Sequence, residues 1–306
     1  MKFIVFSDLH IHNYKKFDQG GSRLRNCASV LLKIYSEARK RGITHILFAG
    51  DLFDQQKSLP IPVINKTVKI FNYLEINYPE IEFIAISGNH DHGSKNTLEN
   101  EAHTSLTFLD IMFKNFNLID GTYFELDEKN NIWGIPYFSH PEHLEKFEKD
   151  FKFSDRCNNF LMIHQTPQHS NPMIPFDCRA QDFKRYEFTF CGHIHKHERL
   201  TRNFCIVGSP LHRDLGDEGQ DKGFLVFDTD KNDYERVLLD FPKFIRTNNE
   251  EAAEGQYAVP VVELPKIDKA NLEIPLDASY EAIVDAYTGK LGKEDIFSII
   301  GKNLLK

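Results

Sequence analysis

The chain has 306 residues, 41% of them hydrophobic and 27% charged, the ordinary mix of a soluble globular protein. No apolar run approaches the ~18–20 residues of a membrane span, and the start MKFIVFSDLH meets Asp8 too soon to be a signal peptide. The net charge of −8 argues against a free-standing, tight binder of nucleic acid, because phosphate contacts need Lys and Arg.

The elements alternate along the chain. KFIVFSD reads as a buried strand ending in polar residues. From Ser22, the residues Leu24, Cys27, Leu31, Tyr35 and Ala38 recur at helical spacing, and Gly42 is a stop signal. THILFAGD is a second strand. Pro60 and Pro62 open a helix to about Tyr78, with Val63, Val68, Phe71 and Leu74 inward. EFIAISGN is a third strand, and a helix is expected at about 103–116. WGIPYF follows as a short strand, and SHPEHLEKFEKDF as an exposed helix. FLMIHQ, FTFCGH, FCIVGS, GFLVFD and ERVLLDF are the remaining strands.

Composition shifts near Phe241, where strands give way to NNEEAAEG, so the division expected is 1–240 and 241–306. The tail carries two apolar helical stripes, Tyr280, Ile283, Val284, Tyr287 and Leu291, then Ile296, Ile299, Ile300 and Leu304. Residues 1–60 hold ten Lys or Arg against five Asp or Glu, whereas 241–306 hold eight against eleven. A locally basic front fits a protein that meets phosphate on one face. Five cysteines, odd in number and without C-x-x-C, read as reduced thiols of a cytosolic protein.

Alternation of strand and helix predicts an α/β domain, with ligands at the carboxyl ends of the strands. The polar residues gather there. Asp8 and His10 follow the first strand, Asp51 the second, and Asn89 and His90 the third. His164 ends FLMIH, and His193 and His195 end FTFCG. Carboxylate, amide oxygen and imidazole without thiolate suit Mn²⁺, Fe²⁺ or Zn²⁺. Two ions sharing one carboxylate would use the whole set, and such a pair clamps the attacking and leaving oxygens of an in-line displacement at phosphorus.

D-x-H (Asp8, His10), G-D-x-x-D (Gly50 to Asp54), G-N-H-D (Gly88 to Asp91), the lone His164 and G-H-x-H (Gly192 to His195) resemble, in order, the five signatures of calcineurin-like metallophosphoesterases. The resemblance covers about residues 1–240. It implies a two-sheet β sandwich flanked by helices, to which the apolar stripes between Tyr280 and Leu304 add a short helical C-terminal tail. By position it implies that Asp8, His10 and His195 hold one metal and that Asn89, His164 and His193 hold the other. Asp51 would bridge the two. His90 would act at the leaving oxygen as general acid, or stabilise charge on the phosphoryl group. Asp54 would orient that histidine. Manganese is the metal implied first, with Mg²⁺, Fe²⁺ and Zn²⁺ as alternatives. His197 reads as a solvated or supporting residue. His12 and His212 are neighbours able to approach substrate, and His92, His103 and His169 have no motif support.

The start SDLHIH is also similar to that of the polymerase-and-histidinol-phosphatase family, which lacks the G-D-x-x-D and G-N-H-D pair. Gln55 and Asp91 depart from the phosphoprotein phosphatases. ITHILFAGDLFD and the run GSPL, GDEG, KGF resemble the DNA-repair nuclease group of SbcD type, in a compact, bacteriophage-like version. That resemblance implies a DNA exonuclease or endonuclease subunit in the cytoplasm, or the host cytoplasm. It implies a homodimer through the helices at 62–78 and 103–116, and an SbcC-type coiled-coil ATPase gripped by the tail. The rival readings are a stand-alone phosphodiesterase or phosphatase for small molecules or nucleotides, and a non-catalytic interaction subunit.

Overall fold

The structure is a computed structural model. It describes residues 1–260 apart from 19–20, 56–57, 93–103, 139–143, 145–146, 148–150, 152, 154–155, 170–174 and 248–254. The expected helix over SHPEHLEKFEKDF falls mostly outside the described residues, His103 and both tail helices entirely so.

Two six-stranded sheets dominate. The first contains β1 (Lys2–Phe6), β2 (His45–Ala49), β3 (Glu82–Ile86), β4 (Phe116–Leu118), β11 (Gly223–Asp228) and β12 (Asp233–Leu238), in the order β12-β11-β1-β2-β3-β4. The second contains β5 (Tyr123–Asp127), β6 (Asn130–Ile135), β7 (Asn158–His164), β8 (Phe188–Gly192), β9 (Glu198–Thr201) and β10 (Phe204–Ile206), in the order β5-β6-β7-β8-β10-β9. Strands β1 to β4 run parallel, as do β6, β7, β8 and β10.

Alternate residues of one strand serve two cores. Phe3, Val5, Leu47 and Ile84 face Phe160, Met162, Phe188 and Phe190 of the other sheet. Ile4, Phe6, Ile46 and Phe48 face outward, beneath α1 (Ser22–Arg41), α2 (Ile61–Asn77) and α3 (Thr107–Met112). A third core covers the far face of the second sheet with Trp133, Leu161, Ile163, Phe183 and Tyr186. Strands buried on both faces read as unbroken apolar runs, which is why KFIVF, HILFA and FTFCG are conspicuous in the sequence. Each buried Phe or Leu contributes roughly 1.5–3 kcal/mol.

The helix expected at 103–116 is corrected. Only Thr107–Met112 is helical; Phe113 is extended, and Phe116–Leu118 is laid against β3 as an edge strand. The Asp110 carboxylate accepts the Leu118 N–H at 2.9 Å, and the Asn115 amide donates to Pro79 O at 2.8 Å. These bonds hold the exit from the helix. They explain the wide apolar arc: Leu106, Leu109, Phe113 and Phe116 are all core residues, in different backbone conformations, while Ile111 and Met112 are exposed.

Met1–Pro260 form the first of two units into which the chain divides. The first therefore runs about twenty residues past the composition change at Phe241. Its last part, β13 (Lys243–Thr247) paired in parallel with β14 (Gln256–Pro260), was not foreseen. Phe244 is buried, and its N–H donates to His212 Nδ1 at 3.3 Å.

Candidate metal centre

The parallel strands deliver their carboxyl-end loops to one place. The loop after β1 lies along the loop after β2: Asp8 N donates to Gly50 O (2.9 Å), His10 N to Asp51 O (3.0 Å) and Ile11 N to Leu52 O (2.7 Å). Among the described residues six non-glycines have positive φ, and four of them are Asp8, His10, Asp51 and His193. Each such conformation costs on the order of 1 kcal/mol, and such strain gathers at functional sites. The motif glycines allow close approach. A Cβ on Gly50 would strike His164 Nδ1, and one on Gly88 would strike the Asp51 carboxylate.

All seven predicted ligands converge. His10 Nε2 and His195 Nε2 are 3.1 Å apart, with Asp8 Oδ1 3.9 Å from His10 Nε2. Asn89 Oδ1 lies 2.8 Å from His193 Nδ1 and 3.1 Å from His164 Nε2. Asp51 Oδ2 sits between the groups, 3.6 Å from His10 Nε2 and 3.3 Å from His164 Nε2. Ligand atoms of Asp8, His10 and His195 lie within 4.8 Å of one another, and so do those of Asp51, His164 and His193. Lone pairs aimed at shared points, with too few protons to satisfy them, are what a cation relieves. This donor set fits two divalent ions, one on each side of Asp51.

The electrostatics agree. Burial pushes His10 well below the usual imidazole range and His193 down to about 3, so both are neutral donors. Burial also acts to lower His164, but the Asp51 carboxylate outweighs it and lifts His164 to about 9. Against the upward push of burial, His164 in turn holds Asp51 far below the carboxylate range. This pair takes up charge that an ion would otherwise neutralise. His164 Nδ1–H donates to Ala49 O at 2.7 Å, which leaves Nε2 facing the centre.

His90 is half-buried beside this set, with a ring nitrogen within 4.8 Å of ligand atoms of His10 and Asp54 but in neither of the two groups that flank Asp51. Its N–H donates to Asp51 Oδ1 at 2.8 Å, and Nδ1–H to the main-chain carbonyl of Asp54 at 2.6 Å. Nε2 is then the free nitrogen, and the ring stands edge-on to His10 at 4.8 Å. Residue 54 thus touches His90 through its backbone carbonyl. The Asp54 carboxylate instead faces His10 Nδ1 at 3.6 Å, Arg213 at 2.9 Å and the Tyr14 hydroxyl.

The neighbouring histidines are tied to adjoining loops. His197 is held between Ile206 O at 2.7 Å and the Tyr234 hydroxyl at 3.2 Å, so it is a packed structural residue. His212 spans Gln220 O at 2.9 Å and the Phe244 N–H, which ties loops together. His12 is buried, bonded through Nδ1 to His10 O at 2.5 Å.

Sequence reasoning missed four contributors. Asp91, the last residue of G-N-H-D, accepts the N–H groups of Asp51 (2.8 Å), Leu52 (3.2 Å), Phe53 (3.0 Å) and Gly88 (2.9 Å). It ties two ligand loops to each other, and its place in the motif was the signal. Tyr137 stacks on His193 with centroids 5.7 Å apart. Arg213 and Arg23 had no signal in spacing; the fold brings them from distant loops.

A small cavity lined by Asp8, His10 and His12 shares Arg23 and Arg213 with an open groove of about 540 Å³. Tyr14, Lys15, Lys16, Phe17, Arg213 and Phe244 line that groove. Arg23 is buried within it, 5.3 to 5.8 Å from the rings of Phe244, Tyr257 and Tyr14, and donates to Arg213 O at 2.6 Å. Cations and rings thus lead away from the metal centre.

With that geometry in hand, the comparisons are decisive for the family. A model of the calcineurin-like phosphoesterases matches residues 1–197. The chain belongs to this family. Its members use a dinuclear divalent metal centre and are metal-dependent hydrolases of phosphoesters. TT1561 of Thermus thermophilus has a similar fold, with a TM-score of 0.51 at 11% identity over 78% of this chain and 98% of that one. A dimetal phosphatase from Danio rerio aligns with a TM-score of 0.44 at 10% identity over 74% and 91%. No curated protein matches this chain. Among the described residues no helix is long and apolar enough to cross a membrane.

Proposed function

We propose that this phosphoesterase is a DNA nuclease, the SbcD-type subunit of a cytoplasmic repair or recombination complex with a coiled-coil ATPase. The groove carries this reading. Lys15, Lys16 and Arg213 stand in it beside Tyr14, Phe17 and Phe244, next to the candidate centre of a chain whose net charge is −8. Cations that follow a phosphate backbone, interleaved with rings on which bases stack, form a binding mode for single-stranded nucleic acid.

The chemistry is an in-line displacement at a phosphodiester. The ions, manganese in this reading, supply charge neutralisation at the phosphoryl oxygens and an activated water at neutral pH. The protein does the rest. Asp51 fixes the spacing of the two positions. His164 is oriented by Ala49 O, and the Asp54 carboxylate faces His10 Nδ1 at 3.6 Å. His90, with Nδ1–H engaged by Asp54 O, keeps Nε2 available to assist departure of the leaving oxygen.

The homodimer and the ATPase belong to the same reading. Ile61, Tyr73 and Ile76 of α2 and Ile111 and Met112 of α3 are exposed apolar side chains fit for a twofold contact. The tail from Asp277 to Lys306 is proposed as the tether to the ATPase, an amphipathic helix laid in a groove. Its removal should spare hydrolysis of bis-p-nitrophenyl phosphate and abolish co-purification with the ATPase.

The deciding experiment is Mn²⁺-dependent digestion of labelled single-stranded and duplex DNA, with and without a coiled-coil ATPase of SbcC type. Cleavage of single strands by the isolated chain, extended to duplex by ATPase and ATP, is expected. Hydrolysis of nucleotides or bis-p-nitrophenyl phosphate with DNA untouched in every condition would overturn the reading in favour of a small-molecule phosphodiesterase.

A further inference from the structure

The run after the last metal motif, GSPLHRDLGDEGQDKGF, buries an ion pair with no part in the chemistry above. Lys222 and Asp217 are both almost fully buried. The Lys222 ammonium donates to Asp217 Oδ1 at 2.6 Å, Gln220 Oε1 at 2.9 Å and the main-chain carbonyl of His195 at 2.9 Å. Its three protons thus have three acceptors. The Asp217 carboxylate also accepts the Arg213 N–H at 2.7 Å and faces His195 Nδ1 at 3.9 Å.

Burying two charges is costly, and an apolar pair of similar volume is often as stable. The pair therefore calls for a use beyond stability, and its contacts supply one. One branch reaches His195 through its carbonyl and ring. The other fixes the Arg213 backbone, whose guanidinium holds Asp54 at 2.9 Å, whose carboxylate lies 3.6 Å from His10 Nδ1. Both branches end on the same side of Asp51. The opposite side is held by other means: His164 by Ala49 O, and the Gly88 and Asp51 loops by Asp91.

We propose that Asp217 and Lys222 are positioning residues for one metal position only, the one between His10 and His195, and that they set its affinity independently of its neighbour. The inference rests on reading the centre as dinuclear. It makes the loop from Ser209 to Gly223 part of the metal centre, although it supplies no ligand. Outer contacts to histidine ligands are typically worth 10–100-fold in metal affinity.

The test is Mn²⁺ titration of the full chain by calorimetry, with electron paramagnetic resonance of the loaded protein. The double variant Asp217→Asn, Lys222→Met removes both charges at once, so no lone charge is left buried. Wild type should take two ions that give a spin-coupled signal. The variant should keep one ion at wild-type affinity and bind the second about 10–100-fold more weakly, with the hyperfine-split signal of an isolated ion at one equivalent. If the double variant does not fold, Asp217→Glu, which keeps both charges and displaces the carboxylate, is judged by the same readout. Unchanged binding of both ions would overturn the proposal, as would equal weakening of both, which is the mark of a general structural role. A wild-type chain that takes only one ion would instead remove the dinuclear reading on which the proposal stands.

Discussion

The floor of the site and the groove beside it are built differently. The floor is buried and strained, with left-handed backbone at Asp8, His10, Asp51 and His193. Asp8 and Asp51 accept main-chain N–H groups, His164 bonds Ala49 O, and His10 faces the Asp54 carboxylate. The groove is open, and its cations Lys15 and Lys16 are exposed. It is assembled from four separate stretches, 14–17, Arg23 of α1, 213–215 and the β13–β14 pair. The floor defines which bond is broken; the groove is where one substrate would differ from another. Floor variants should therefore damage every substrate alike, and groove variants should discriminate between them.

The sharpest cut at the floor is Asp51→Ala. It removes the one carboxylate 3.6 Å from His10 and 3.3 Å from His164. Both ions should be lost and hydrolysis of DNA and bis-p-nitrophenyl phosphate should fall together to background. His193→Ala should abolish hydrolysis as well, with loss of one ion. Two ions and full activity in either variant, read by elemental analysis beside turnover, would remove the two-metal assignment.

His90→Ala comes next. Its main-chain N–H bonds Asp51 Oδ1 and its Nδ1 bonds Asp54 O, and its ring belongs to neither of the two ligand groups that flank Asp51. Metal content should stay at the wild-type level while turnover falls roughly 10²–10⁴-fold. Loss of an ion would make His90 a ligand and erase the distinction drawn here.

The same contrast explains what the sequence disclosed. The floor was legible because each ligand follows an apolar strand at a fixed short distance, and parallel strands must deliver those ends to one edge. The glycines of G-D, G-N and G-H were legible too, although only the packing of Gly50 on His164 and Gly88 on Asp51 says why they are glycines. The groove was not legible. Arg213 reaches Asp54 across 159 positions of sequence, from a loop whose GSPL and KGF pattern marked it without giving a role. Strands β5 and β9 escaped notice because sheet edges are half-exposed and lack a continuous apolar run. The 103–116 segment misled for the opposite reason: its apolar residues are continuous, but side-chain bonds from Asp110 and Asn115 bend it from helix into strand.

The groove itself is tested by Lys15→Glu with Lys16→Glu. Single-stranded DNA affinity should fall. The slope of log K against log salt should become shallower by about 1.4, since each phosphate contact contributes roughly 0.7. Cleavage of DNA should fall by a larger factor than cleavage of bis-p-nitrophenyl phosphate. An unaltered salt slope would show that the strand lies elsewhere, even if the chain is a nuclease.

The smallest effect on folding belongs to a face remote in kind from both regions. Leu109 and Phe113 share the apolar excess that suggests a dimer contact, but both are core residues. Glutamate there would bury charge and unfold the chain whatever its oligomeric state. Ile111 and Met112 are the informative pair, 78% and 54% exposed. Ile111→Glu with Met112→Glu should shift stability by no more than about 0.5 kcal/mol, as exposed positions without buried partners do. Floor and groove are untouched, so the ratio of DNA to small-diester hydrolysis should hold. If α2 and α3 form a twofold contact, sedimentation should show a dimer for wild type and a monomer for the variant at micromolar concentration. A wild-type chain that is already monomeric there, or a variant that stays dimeric, removes this face from the proposed assembly without touching the chemistry.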